Sequence, residues 1–246
     1  MDRTALVTGA SRGLGAAIAK ELASSGWSVA VNVRHDIRSA ESVVDHIRAA
    51  GGRAEAAQFD VTDPESVAAG VASIRRGLGK IELIVNNAIG IHEEVDIQNQ
   101  TWELFLGQLA YSIKAPLLLA NAVLPDWKTE RRGKMINIGT EGVRLGMPRM
   151  AHYVAAKGAM TAMTRSWARD LGPFGITVNE VAPGWIPVER HQNLAQSSFD
   201  DLRAMTPLGR IGVPDDVAGI VAFLASDKAN FITGQTIVVS GGVTFG

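Results

Sequence analysis

The chain has 246 residues, 46% of them hydrophobic, enough to bury the core of one large α/β domain. Lys+Arg total 24 against 25 Asp+Glu, and the resulting net charge of −1 provides no electrostatic footprint for nucleic acid or an anionic membrane. The absence of cysteine excludes disulfides and thiolate metal sites, and fits a reducing compartment. No apolar run reaches the roughly 18 residues of a membrane span, and the first strand begins too early for a signal peptide. The expected location is cytoplasmic.

In chain order, the apolar run Ala5-Leu6-Val7 predicts a first strand, and Ala16 to Leu22 predicts an amphipathic helix. Trp27 to Val33 reads as strand 2 and Ser39 to Ala50 as a helix stopped by Gly51-Gly52. Ala54 to Phe59 is strand 3. A helix then opens at Thr62-Asp63-Pro64-Glu65, where Pro64 suits a first turn. Strand 4 is Ile81 to Val85, followed by a long helix from about Thr101 to Leu124. Lys134 to Ile138 is strand 5, and about Met150 to Leu171 a further helix. Ile176 to Asn179 and Thr236 to Val239 complete the strands. Strands apolar on both faces and alternating with helices predict a single doubly wound, Rossmann-type α/β domain over residues 1–246. Its parallel sheet should have about seven strands.

Such sheets bind ligands at the carboxyl ends of their strands. Between strand 1 and the first helix lies Thr8-Gly9-Ala10-Ser11-Arg12-Gly13-Leu14-Gly15. A glycine turn opening a helix presents free N–H groups and the positive end of the helix dipole to phosphate. Taken alone, such a turn is also compatible with a purely structural role. Small and polar residues recur at the other strand ends: Val33-Arg34, Asp60-Val61, Asn86-Asn87-Ala88, Gly139-Thr140 and Pro183-Gly184.

The end of strand 2 carries no carboxylate until Asp36. Arg34, with Arg12, is placed to meet a 2′-phosphate through the paired donors of guanidinium. This predicts NADP(H) in preference to NAD(H), with Asp36 the residue that keeps NAD(H) open. Asp60 is suited either to accept the adenine amino group or to cap the helix starting near Asp63. Asn86 and Asn87 either line the ribose or bridge neighbouring strands.

Tyr153 and Lys157 stand four residues apart and share a helix face. An ammonium beside a phenol favours the phenolate and brings tyrosine toward acid–base duty. Thr140, at the end of strand 5, can hydrogen-bond a substrate carbonyl from the other side. A proton donor, its tuner and a carbonyl orienter beside a nucleotide turn are what hydride transfer to a ketone requires. His92 and His152 have no evident third partner and read as non-catalytic, and no Asp/Glu/His cluster has metal-ligand spacing.

These residues resemble those of the short-chain dehydrogenases/reductases along essentially the whole chain. The likeness rests on Thr8 to Gly15, Asp60-Val61, Asn86-Asn87-Ala88, Asn137 to Thr140, Tyr153 with Lys157, Asn179 with Pro183-Gly184, and the tail from Phe231 to Gly242. Within the family the chain is most similar to 3-oxoacyl-[acyl-carrier-protein] reductases. The resemblance implies that Tyr153 protonates the carbonyl oxygen, and that Lys157 holds the nicotinamide ribose and lowers the tyrosine pKa. It implies that Thr140 takes the place of the family's serine. The cofactor would lie on Gly9, Ser11, Arg12, Gly13, Leu14, Gly15, Arg34, Asp60, Val61, Asn87, Ala88, Tyr153, Lys157, Pro183, Gly184 and Ile186. The chain departs from the family at Ser112, where an asparagine serves a proton relay, at Ile89, and at Val188, where a threonine hydroxyl is usual.

Residues 185–208, bounded by Pro183 and Pro207, form a candidate substrate lid. Trp185, His191 and Phe199 would line a pocket there or pack the lid onto its domain. Arg144, Arg149 and Arg190 are isolated cations, not a phosphate-reading cluster. The small apolar face of the Tyr153 helix and the last strand match surfaces that build tetramers in the family, so a homotetramer is expected. Two functions fit: a reductase or dehydrogenase acting on a small carbonyl or alcohol, and a dinucleotide sensor of the same fold that turns nothing over.

Overall fold

The computed structural model describes residues 3–91, 93–189 and 196–245. Seven strands form one sheet: β1 (Arg3–Val7), β2 (Trp27–Val33), β3 (Arg53–Gln58), β4 (Ile81–Asn86), β5 (Gly133–Ile138), β6 (Ile176–Pro183) and β7 (Thr236–Val239). Every pairing is parallel, and the spatial order is β3-β2-β1-β4-β5-β6-β7. The chain winds outward in both directions from β1, so the crevice beside β1 and β4 is the topological switch point where such sheets take their ligands. Leu6 pairs in register with Ala30 on one side and Ile84 on the other, all fully buried.

Helices cover both faces: α1 (Gly13–Ser24), α2 (Ile37–Ala49), α3 (Pro64–Gly77), α4 (Trp102–Leu109), α5 (Ala115–Glu130), α6 (Gly142–Leu145), α7 (Ala151–Leu171), α8 (Gln196–Met205) and α9 (Pro214–Ala225). One apolar cluster joins Ile18, Leu22, Val29, Val44 and Val221 beneath α1, α2 and α9. The other joins Leu6, Ile74, Ile84, Leu119 and Trp127 beneath α3 and α5.

Several boundaries differ from the sequence reading, and three of the differences have a clear local reason. Helix α2 starts at Ile37, earlier than Ser39, because the Asp36 carboxylate accepts the Ser39 N–H at 3.2 Å and so acts as N-cap. The helix expected over Thr101–Leu124 is interrupted by a π-turn at Ala110–Lys114 and then runs on to Glu130. Pro116 has no N–H to donate to the Ser112 carbonyl four residues back, which favours the wider turn. Strand β6 extends to Pro183 because β5 and β7 pair with it on both sides. Helix α9 (Pro214–Ala225) adds to the elements expected from sequence. The Asp216 carboxylate accepts the Val213 N–H at 2.8 Å at its start, and Val217, Val221 and Leu224 face the α1 side of the core.

Candidate active site

The glycine turn leaves β1 with Gly9 at φ +61° and Gly13 at φ +54°, backbone that side chains rarely adopt. Gly15 is needed for a different reason. A Cβ there would run into the Gly9 carbonyl and come within 2.5 Å of Asn87 Nδ2. The glycine therefore lets α1 start directly against the end of the sheet. Asn87 holds this turn from β4, its Nδ2 donating to the Thr8 and Gly9 carbonyls at 2.8 and 3.1 Å. Thr8 Oγ1 in return accepts the N–H groups of Asn87 and Ala88, both at 2.9 Å.

The first turn of α1 contains no acidic residue, and its N-cap, Arg12, makes no side-chain cap. The Gly13 N–H instead donates to Glu189 Oε1 at 3.2 Å. That carboxylate stands where an anionic phosphate oxygen would be received, so the turn has the donor character a dinucleotide pyrophosphate requires. Ser11 is half-buried beside Arg12, and Leu14 packs its side chain into the core. Gly13, Lys20, Val188, Glu189 and Phe199 help line a cleft of about 480 Å³ next to this turn.

At the β2 and β3 ends, Arg34 Nε pairs with Asp60 Oδ2 at 2.9 Å and Nη1 donates to Tyr111 Oη at 3.1 Å. Arg12 is exposed and lies within electrostatic reach of Asp36. Because Asp36 caps α2, its hydrogen bonds from Ser39 hold its carboxyl below the usual range. Asp63, accepting the Ser66 N–H at 2.7 Å, is the cap of α3. Asp60 is therefore not the cap that the sequence left open. Burial raises its pKa, but the Thr62 N–H and hydroxyl, with Arg34, outweigh burial and lower it overall. Val61 is buried behind it.

Asn86 bridges strands, as one of its two readings required. Its Nδ2 donates to Asn137 Oδ1 at 2.7 Å, and Asn137 Nδ2 donates to Thr164 Oγ1 at 2.8 Å. This buried polar chain ties β4 and β5 to α7 and fixes the helix that carries Tyr153.

Tyr153 and Lys157 lie on one face of α7 toward the end of β5. Lys157 is 3% exposed, and its Nζ donates to the Ile138 carbonyl at 2.6 Å. Burial pushes its pKa down to about 8, with Glu180 acting in the opposite direction. Tyr153 is half-buried at the mouth. Thr140 Oγ1 accepts the Gly142 N–H at 3.1 Å, which orients the oxygen and leaves its proton to be donated. Ser112 is buried in the π-turn. Pro183 and Gly184 form the far wall, where the Pro183 carbonyl accepts the Glu141 N–H at 2.9 Å. A Cβ on Gly184 would lie 2.9 Å from Glu141 Oε1 and 3.0 Å from Ser240. The Ile186 side chain packs against Gly212 and the core.

Trp185 and Phe199 meet edge-to-face at 5.5 Å. His191 and Arg190, which completed the expected lid features, lie outside the described residues, as does His92. His152 is buried against Phe105, and burial lowers its pKa. Sequence reasoning missed Tyr111, one of two tyrosines in the chain, and Glu189. Each acts across a long sequence separation and belongs to no motif. Among the described residues no His/Asp/Glu group could hold a metal ion, and no helix is long and apolar enough to cross a membrane.

A doubly wound parallel sheet with a glycine turn at its switch point and a Tyr–Lys pair beside it defines an oxidoreductase of the dinucleotide-binding class. A family model described as enoyl-(acyl carrier protein) reductase matches residues 9–244. The chain belongs to the short-chain dehydrogenase/reductase family. It is 39% identical over 246 residues to the 3-oxoacyl-[acyl-carrier-protein] reductase FabG of Staphylococcus aureus, covering 99% of this chain and 98% of that protein. It is 37% identical to the gluconate 5-dehydrogenase of Gluconobacter oxydans, covering 98% and 94%. Among solved structures, a gluconate 5-dehydrogenase from Burkholderia cenocepacia, in complex with NADP and tartrate, superposes with a TM-score of 0.90. That protein is 32% identical, with 99% of this chain and 96% of the other covered.

Proposed function

We propose that this chain is an NADP(H)-dependent reductase or dehydrogenase interconverting a small carbonyl compound and a secondary alcohol. The observation that carries this reading is the buried Lys157, held at the Ile138 carbonyl one turn from Tyr153 with its pKa near 8. When bound, a reduced nicotinamide would supply the hydride that the carbonyl carbon takes up in the reductive direction. As the C=O π electrons move to oxygen, the Tyr153 phenol gives that oxygen its proton. Thr140 donates to the same oxygen, and the Lys157 ammonium stabilises the phenolate left behind. Arg34 and Arg12 support NADP(H), as does the NADP-bound relative. NAD(H) is the competing cofactor. The site residues proposed for catalysis are Thr140, Tyr153 and Lys157, with Ser112 in place of the relay asparagine.

A 3-oxoacyl compound is one substrate class, by likeness to the acyl-carrier-protein reductases. Arg149 and Arg144, two of the three cations that could have read a carrier phosphate, are already engaged, Arg149 with Glu94 and Arg144 with the Phe245 carbonyl. This favours a compact substrate over a carrier-bound one. Residues 185–208 would close over it as a lid. We also infer a cytoplasmic homotetramer, supported by the small residues Ala155, Ala159 and Ala162 on the outer face of α7 and by β7 at the sheet edge. Light scattering after size exclusion tests this, and a monomer refutes it. The sensor reading is supported by the departures at Thr140, Ser112 and Val188.

The deciding assay follows NADPH and NADH consumption against a panel of ketones that includes a short 3-oxoacyl thioester and polyhydroxy keto acids. Tyr153→Phe should lower turnover by about 10²–10⁴-fold and leave nucleotide binding intact. Full activity in that variant overturns the mechanism. NADPH binding without turnover of any ketone establishes the sensor instead.

A further inference from the structure

Glu180 lies within β6, paired across the sheet with Asn137 of β5 and Thr236 of β7, and is 0% exposed. An isolated buried carboxylate is costly, and replacing buried charges with apolar side chains is often neutral or stabilising. Packing alone therefore does not account for an acid here. Its oxygens are held on two sides. Oε1 is 3.0 Å from Thr161 Oγ1 of α7, and Oε2 is 3.0 Å from Thr236 Oγ1 of β7. The single Thr161 hydroxyl proton is shared between Glu180 Oε1 and the Lys157 carbonyl, which lies 3.1 Å from Thr161 Oγ1, so one hydroxyl joins the acid to the helix turn that begins with Lys157.

Gly139, the residue before Thr140, completes the seat. A Cβ there would run into Glu180 Oε1, and its absence lets the carboxylate lie against the backbone of the loop that carries Thr140. The ionisable groups acting on Glu180 are Lys157 and Arg165, both from α7. β5 contributes Gly139 and β7 contributes Thr236, neither of them ionisable. Burial raises the Glu180 pKa, and the two threonine hydroxyls and the two cations oppose that rise without cancelling it.

We propose that Glu180 is a positioning residue of this reaction centre, a buried carboxylate that keeps Lys157 in its ammonium form from behind the Thr140 loop. Its consequence for catalysis rests on the Tyr153–Lys157 reading given above. Burial disfavours the ammonium, and Glu180 is the group that counteracts it. Without that charge, Lys157 loses its proton at lower pH, and the phenolate formed in reduction loses its stabilising cation.

The test uses the full chain with ¹³C-labelled lysine, the Lys157 resonance being assigned by its loss in Lys157→Met. In Glu180→Gln, which keeps the shape and removes the charge, the Lys157 titration midpoint should fall by about one pH unit. The alkaline limb of reductive kcat/KM should move with it. A folded Glu180→Gln whose midpoint is unchanged overturns the proposal, even if its Tm has dropped, because a merely structural acid would move Tm alone. Should that variant not fold, Thr161→Val removes one donor from the carboxylate and should move the midpoint the same way by less; no movement there also overturns it. A midpoint that moves in a protein with no turnover removes the reductase reading and leaves the Glu180–Lys157 coupling standing.

Discussion

Arg34→Ala tests the cofactor assignment most directly. Two of the Arg34 N–H groups are engaged, by Asp60 and Tyr111, and the remainder of the guanidinium fork is available to a 2′-phosphate. A hydrogen bond to a charged group contributes about 1.5–3 kcal/mol. Because the Arg34 side chain is 51% exposed, solvent screening favours the lower end of that range. The expected loss is then about tenfold in kcat/KM for NADPH. NADH should respond differently. Removing the arginine leaves Asp60 without its cation at the adenosine end of the site, where an unpaired carboxylate repels a 2′-phosphate. The ratio of kcat/KM for NADPH to that for NADH should therefore fall by about tenfold or somewhat more. Paired initial-rate measurements with both nucleotides decide the matter. An unchanged ratio in folded Arg34→Ala refutes the assignment of Arg34 as a phosphate reader.

Gly15→Ala should disrupt the turn, because the new methyl meets the Gly9 carbonyl and Asn87 Nδ2. Loss of NADPH fluorescence enhancement together with a lower Tm is expected, and normal binding would show that α1 can retreat. Reductive kcat/KM should decline above about pH 8, since the Lys157 ammonium is present below its folded pKa and lost as pH rises through it. A profile level to pH 10 contradicts the role of that ammonium. The same lowered pKa has a stability consequence of definite sign. Between about 8 and 10.5 the unfolded chain holds a lysine proton that the folded chain has released, so this residue makes stability rise with pH across that window. Urea unfolding midpoints of wild type and Lys157→Met at several pH values measure its share.

Much of the architecture was legible in the chain itself. The strand order of events along the sequence, the parallel sheet and the glycine turn follow from local hydrophobic runs and from dihedral freedom, which depend on near neighbours. Tyr153 and Lys157 could be paired because helical geometry alone puts residues four apart on one face. Other features depended on tertiary contact. Asp36 read locally as a possible ribose acceptor and Asp60 as an adenine acceptor or a helix cap, whereas the fold makes Asp36 the cap of α2 and Asp60 the partner of Arg34. The break at Ala110–Lys114 combined a local signal, Pro116, with the packing of the turn against its neighbours. Tyr111 reaches Arg34 and Glu189 reaches Gly13 across long stretches of chain, and no periodicity encodes such meetings. Glu180 shows the division most plainly. In sequence it is one acidic letter just past the expected strand Ile176–Asn179. Its burial, its two threonine donors and its link through Thr161 to Lys157 exist only once β5, β6, β7 and α7 are assembled, because desolvation and charge coupling are properties of what surrounds a group.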